Sequence, residues 1–253
     1  MITKIWAHRG ASSQAPENTL AAFELAVRQR ADGLELDVQR TADDVLVVTH
    51  DEDCRRVTGE HGLIARLAFA DLRRKNFAAF RPEASPQKIP TLAEVFDLIR
   101  PTGLTINIEL KNSSNPYPGM ERQVLDLVQA HGMQDRIQIS SFNHESLKIA
   151  GQLIRERGLT IPCGALYSGK LAEPWAYAVR SGFQAIHPDA RNLKIAGLTE
   201  RCHESGIAVN VWTIDQPDQI SLALRLGVDA LITNVPDQAL RIREQIAVPG
   251  VKP

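Results

Sequence analysis

Short aliphatic and β-branched runs alternate along the chain with segments whose apolar positions recur every three or four residues. The runs are Ile2–Ala7, Gly33–Gln39, Leu104–Leu110, Arg136–Ser140, Ile161–Leu166, Ala185–His187, Ile207–Val211 and Ala230–Thr233. Between them, segments such as Leu20–Val27, Leu92–Ile99, Val124–Gln129, Leu147–Ile154, Leu198–Cys202 and Ile220–Leu226 show amphipathic helical spacing. This alternation predicts βαβ units and a parallel sheet. About eight such units in 253 residues match a (β/α)8 barrel, which typically takes about 250. The alternative is a doubly wound open sheet with a phosphate site at a glycine-rich first turn. No GxGxxG or GxxxxGK[ST] occurs in the chain.

The rhythm breaks once. After the second strand come a further extended run, Val45–Thr49, and a polar stretch from Asp51 to Lys88 punctuated by Pro82, Pro86 and Pro90. Loops this long usually serve function or carry structure of their own. The expectation is one domain, 1–253, with a small insertion after strand two, about 51–90, lying over the barrel mouth.

Composition narrows the classes. A hydrophobic fraction of 43% and a charged fraction of 23% are those of a globular protein. The balance of 29 Lys+Arg against 30 Asp+Glu argues against a nucleic-acid partner. Cys54, Cys163 and Cys202 fit neither a zinc pattern nor a disulfide framework, which suits free thiols in a reducing compartment. No run reaches the roughly 18 apolar residues of a membrane span. The N-terminus has no signal-peptide core, so the expected location is the cytoplasm. Oligomeric state leaves no trace in the pattern.

In such a barrel the reacting groups sit at the C-terminal ends of strands. Those ends read His8-Arg9-Gly10, Glu35-Leu36-Asp37, His50-Asp51, Glu109-Leu110-Lys111 and Trp212-Thr213. Glu35 and Asp37, two apart on a strand, share a face. Two buried carboxylates repel and lose hydration, so they need a cation. With Glu109 they make a hard oxygen site suited to Mg²⁺, Mn²⁺ or Ca²⁺, although each could instead pair with Arg or Lys. Three carboxylates, one divalent ion, Arg9 and Lys111 leave a net charge of about +1. A phosphodiester's single negative charge would neutralise it.

Phosphodiester cleavage needs one proton removed and another delivered, which two imidazoles can do near neutral pH. His8 and His50 stand at strand ends beside the carboxylates. A lone histidine is more often structural, and His61, His131, His144 and His203 are read that way. His187 could line the pocket or pack beneath it. Trp212 and Phe142 could wall a glycerol unit or face a cationic headgroup; ordinary barrel packing would account for them equally well.

Taken together, these stretches resemble the glycerophosphodiester phosphodiesterase family. They are HRG (His8–Gly10), PENT (Pro16–Thr19), GLELDVQRTAD (Gly33–Asp43), HD (His50–Asp51), IPTLAEV (Ile89–Val95), NIELK (Asn107–Lys111), SSF (Ser140–Phe142), VWT (Val211–Thr213) and TNVPD (Thr233–Asp237). They run in family order over nearly the whole chain, and the compact length resembles the cytoplasmic bacterial members. The resemblance implies a TIM barrel with a small insertion after strand two. It also implies a divalent ion on Glu35, Asp37 and Glu109, acid/base catalysis by His8 and His50, and Arg9 and Lys111 on the phosphate. Glu17 and Asn18, from PENT, would brace or approach the site. One departure is Asp43-Asp44, where the family usually has Asp-Gly; the turn there favours the positive φ that glycine tolerates.

The expected activity is metal-dependent hydrolysis of small glycerophosphodiesters, such as glycerophosphocholine and glycerophosphoethanolamine, to glycerol 3-phosphate and an alcohol. A phospholipase D-like or phosphoinositide-type lyase on a related barrel is the nearest rival. It should carry apolar mouth loops, whereas Glu52, Asp53, Arg55, Arg56 and Glu60 are charged. A non-catalytic phosphoester-binding barrel and a sugar-phosphate isomerase or aldolase barrel fit less well, since neither needs paired histidines. Headgroup preference, the metal's identity and the division of acid and base between the histidines are not legible in the residues.

Overall fold

The structure is a computed structural model that describes residues 2–247. The elements in chain order are β1 (Lys4–His8), α1 (Leu20–Arg28), β2 (Gly33–Arg40), β3 (Leu46–Val48), α2 (Arg55–Thr58), α3 (Phe69–Arg74) and α4 (Leu92–Ile99). Then come β4 (Thr105–Leu110), α5 (Met120–Ala130), β5 (Ile137–Ser141), α6 (His144–Glu156), β6 (Cys163–Tyr167) and α7 (Pro174–Ser181). The chain continues through β7 (Ala185–Pro188), α8 (Leu198–Glu204), β8 (Ala208–Val211), α9 (Pro217–Arg225), β9 (Ala230–Thr233) and α10 (Pro236–Ala247).

The strands run β1-β9-β8-β7-β6-β5-β4-β2, and β1 pairs with β2 to close the ring. All the ring pairings are parallel. This is the (β/α)8 barrel that the alternation predicts. The run at Val45–Thr49 becomes β3, which pairs antiparallel with β2 outside the ring.

Period-two alternation explains the layering. Leu34, Leu36 and Val38 on β2 and Ile106, Ile108 and Leu110 on β4 face outward and join the large apolar cluster under the helices. The alternate residues, Glu35, Asp37 and Gln39 on β2 and Asn107 and Glu109 on β4, are buried too, but inside the ring. Polar side chains therefore crowd the barrel interior, while Trp6, Ala230, Ile232 and Trp212 supply a small apolar patch there.

Local signals set the helix ends. Thr91 caps α4 in a capping box with Glu94, and Thr19 caps α1. The helices α7 and α10 show a weak apolar stripe. On α7 only Pro174 and Ala178 are buried while Val179 is exposed. The stretch 51–90 is more structured than its polarity suggests. Val47, Cys54, Val57, Ile64, Leu72, Phe77 and Ile89 form a small core of its own. Arg81 ties it to the loop after β1 through the Ser12 and Ser13 carbonyls at 2.6 and 2.9 Å.

Two positions generate tests. Gly164 faces His187 inside the ring; a Cβ there would lie 2.3 Å from His187 Nε2 and 2.8 Å from Gln138 Nε2. Gly164→Ala should lose about 2–4 kcal/mol of stability. A melting temperature within a degree of the parent would show that His187 has another place to go. Asp44 adopts φ 62°, the left-handed turn conformation that a glycine would take without strain. Its ion pair with Arg40, at 3.3 Å and with Asp44 76% exposed, contributes little. Asp44→Gly should therefore raise stability by up to about 1 kcal/mol, read as a melting point roughly 2–4 °C higher.

Candidate active site

Strand register brings the carboxylates together. His8 is level with Glu35, Glu35 with Asn107, and Asp37 with Glu109. One oxygen from each of Glu35, Asp37 and Glu109 lies within 4.8 Å of the others, and all three residues are buried. Burial, then the charges of Asp37 and Glu109, push the Glu35 carboxyl well above its usual range. Burial and Asp37 push Glu109 up to about 7, with Lys111 opposing. Against the penalty of burial, Arg9, His50 and Lys111 hold Asp37 well below its usual value. Asp37 Oδ1 is buried with no hydrogen-bond donor. A crowded carboxylate trio with an orphaned oxygen suits a hard divalent cation.

Cations and carboxylates alternate outward from this trio. Lys111 Nζ lies 2.7 Å from Glu109 Oε1 and 3.7 Å from Asp37 Oδ1. Arg9 Nε lies 3.2 Å from Asp37 Oδ2, and its Nη1 donates to Glu17 Oε1 at 2.8 Å. Arg56 grips both Glu17 oxygens at 2.7 and 2.9 Å, and its Nε donates to Asp51 Oδ2 at 2.5 Å. Asp51 Oδ1 in turn meets His50 Nδ1 at 2.6 Å. An ionic chain thus links the strand-end carboxylates, through Arg56 on the insertion, to His50 just before it. Asn18 Nδ2 donates to Asp37 Oδ2 at 2.8 Å. Arg9 and Asn18 both adopt φ 55° and are joined by an Asn18 N–H to Arg9 carbonyl bond of 2.9 Å. Left-handed backbone at non-glycine residues is strain held by the surrounding contacts.

His8 sits in a different setting. Asn234 Nδ2 donates to Asp215 Oδ2 at 2.6 Å, which leaves Asn234 Oδ1 to accept. That oxygen lies 2.7 Å from His8 Nδ1. The contact therefore assigns the proton to Nδ1 and leaves a lone pair on Nε2, which is 3.8 Å from Glu35 Oε2. Burial and then Arg9 lower the His8 pKa to about 4, so the ring is neutral at pH 7.

His8, Arg9, Glu35, His50, Glu109 and Lys111 line one cavity of about 200 Å³, whose apolar wall includes Phe142, Leu166 and Trp212. Phe142 and Trp212 meet edge-to-face at 5.6 Å. Asp37, Glu17 and Asn18 do not line this cavity; Asp37 pairs with the lining residues Arg9 and Lys111, and Glu17 with Arg9. His187 lies deeper, fully buried, held at Nε2 by Gln138 at 2.6 Å and Asn210 at 2.9 Å. His61, His144 and His203 bond to Asp53, Tyr177 and Asp229, and His131 to the Leu127 carbonyl, away from the cavity.

Four residues carried no assigned part in the sequence reading. Asn234 lies in the TNVPD stretch and Asn107 in NIELK, both visible as motif members without a role. Arg56 was one charge among many on the insertion, and Asp215 had no signal at all.

Comparison with known proteins gives the fold and site a setting. The profile of the Glycerophosphoryl diester phosphodiesterase family matches residues 8–238. A glycerophosphodiester phosphodiesterase of Caldanaerobacter subterraneus subsp. tengcongensis is 36% identical over 243 residues, covering 96% of this chain and 98% of the relative. One from Bacillus altitudinis is 37% identical over 251 residues, covering 97% of this chain and all of its own length (100%). Among solved structures, a phosphodiesterase of Oleispira antarctica in complex with the product sn-glycerol-3-phosphate superposes with a TM-score of 0.85 at 26% identity. That match covers 96% of this chain and 97% of the other.

The carboxylate trio makes a stability test. Glu109 keeps its proton up to about pH 7 when folded but releases it near 4.5 when unfolded. Through this group the metal-free protein loses stability as pH rises from about 4.5 to about 7. Glu109→Gln cannot titrate, so without metal its melting point should gain on the parent's across that window. With saturating divalent cation the order should reverse, because a ligand at 100 times its Kd adds about 2.7 kcal/mol to the parent. If millimolar Mg²⁺, Mn²⁺ and Ca²⁺ all leave the parent's melt unchanged, the trio is an ion-pair cluster and holds no metal.

Proposed function

The chain belongs to the glycerophosphoryl diester phosphodiesterase family, and on that premise we propose that it hydrolyses small glycerophosphodiesters to glycerol 3-phosphate and an alcohol by histidine acid/base catalysis. The observation that carries this reading is the wall of the 200 Å³ cavity. It presents two imidazoles, two of the three carboxylates and both Arg9 and Lys111 to one small volume. Glycerophosphocholine and glycerophosphoethanolamine are the substrates whose charge and size we assign to it. We take residues 1–253 as one catalytic domain, with the stretch 51–90 belonging to it because that stretch delivers Arg56 to the Glu17 carboxylate. The buried free thiols Cys54, Cys163 and Cys202 support a cytoplasmic setting.

Glu35, Asp37 and Glu109 would hold one divalent cation, Mg²⁺, Mn²⁺ or Ca²⁺, which when bound supplies Lewis acidity at a phosphate oxygen and at the attacking hydroxyl. Arg9 and Lys111 orient the phosphate from the cavity wall. His8 is the base, since its Nδ1 proton is committed to Asn234 and its Nε2 lone pair is open to the cavity. His50 is the acid. Asp51 Oδ1, 2.6 Å from Nδ1, accepts from it and orients the ring, and Nε2 remains to protonate the departing alkoxide. Arg56 keeps Asp51 ionised and in place.

The test is release of glycerol 3-phosphate from glycerophosphocholine and glycerophosphoethanolamine, with each metal and with chelator. Release should need metal, and His8→Ala and His50→Ala should each lower kcat by about 10²–10⁴-fold. Folded parent protein that releases nothing with any metal, but cleaves intact lysophospholipid, would transfer the chain to the lipid-lyase reading. Full activity in His8→Ala would remove that residue from the chemistry.

A further inference from the structure

The catalytic cavity, at about 200 Å³, is smaller than the roughly 300–1,000 Å³ of a site that encloses a small molecule. A phosphodiester has two ester arms, so one of them has to leave this cavity. A second cavity of about 450 Å³ adjoins it and shares His50, Lys111 and Phe142 with it. His8, Leu166 and Trp212 line only the first. Ser113, Ser114 and Glu52 line only the second of the two. With the phosphate between His8 and His50, one arm lies against Trp212 and the other passes beyond His50.

The charges of the second cavity are not equivalent. Lys111 is committed to Glu109 and Asp37. His50 is committed to Asp51, and Asp51 also to Arg56. Glu52 is exposed. Its carbonyl accepts from the Ile64 N–H at 2.9 Å, but its carboxylate has no ion-pair partner among the described residues. It also borders an outer cavity of about 360 Å³ that Arg66 lines as well. The Phe142 ring lines the same cavity, 38% exposed, edge-to-face against Trp212 and with Lys111 Nζ 6.0 Å from its centroid. An uncommitted carboxylate and an aromatic ring lining one polar cavity suit an organic ammonium.

We infer that the cavity beyond His50 is the subsite of the departing alcohol, and that Glu52 makes it select alcohols bearing a cationic nitrogen over neutral polyols. The inference rests on the proposed diester hydrolysis and deepens it by naming the residue that selects between headgroups. It also gives His50 its partner, since the arm in this cavity is the one His50 protonates.

The experiment compares kcat/KM for glycerophosphoethanolamine and for glycerophosphoglycerol, two diesters of similar size that differ in an ammonium against a diol. The parent should favour the ammonium substrate, and the preference should shrink as salt rises from low to about 0.5 M. Glu52→Gln should lower the ratio of the two kcat/KM values by about three- to five-fold, the range of an exposed ion pair. Glu52→Lys should lower it further, past unity, by like-charge repulsion. A structural role for Glu52 would scale both substrates together and leave the ratio alone. A ratio near one in the parent, or a ratio that neither variant moves, overturns the inference. Failure of the parent to cleave either diester overturns the proposed function instead, so the two failures are separable.

Discussion

Three carboxylates cannot stay ionised in one buried volume unless positive charge is brought to them. Glu35, Asp37 and Glu109 meet because β2 and β4 are in register and both present polar residues to the ring interior. Their repulsion is answered by Lys111 and Arg9, while Asp37 Oδ1, 3.7 Å from Lys111 Nζ, still receives no hydrogen bond. Arg9 is then held by Glu17, Glu17 by Arg56, and Arg56 by Asp51. Arg9 and Glu17 are largely covered and need partners, because a buried, unpaired charge costs several kcal/mol; Arg56 is exposed, so its pairs are weaker and screened. The insertion is fastened to the barrel by this chain of requirements, and His50 is placed as a consequence.

The same constraint separates the two histidines. His8 lies beside Arg9 and under cover, where a second positive charge is disfavoured, and Asn234 offers it a neutral acceptor. His50 is more exposed, with the Asp51 carboxylate 2.6 Å from its Nδ1. In the proposed reaction one imidazole takes a proton and the other gives one, although the residue type is the same. That assignment puts the departing group on the side of the larger cavity, which His50 also lines.

Burying polar groups inside the ring has a price in stability that the outer layer offsets. Leu34, Leu36, Ile106 and Ile108 pack against the helices and are fully buried. Burial of side chains of this kind contributes about 1.5–3 kcal/mol each. Inside, His187 is satisfied at one nitrogen by Gln138 and Asn210, and Gly164 leaves the space its ring occupies. The outer annulus thus carries the fold while the interior is free to carry charge.

Much of this was legible along the chain. Period-two and helical spacing located the strands and most helices, because the outer annulus imposes them residue by residue. The i, i+2 spacing of Glu35 and Asp37 put both on one face for the same local reason. Helix α7 was not legible, since its buried face is only Pro174 and Ala178, nor was the small core formed within 51–90. What the tertiary structure alone decided is which distant groups answer which charge. Asp51 and Glu17 meet through Arg56, and His8 through Asn234 to Asp215, across separations of up to 226 residues. Local pattern follows from where each side chain points from its own backbone. Protonation state and pairing follow from what closes around it, and that exists only once the ring is shut.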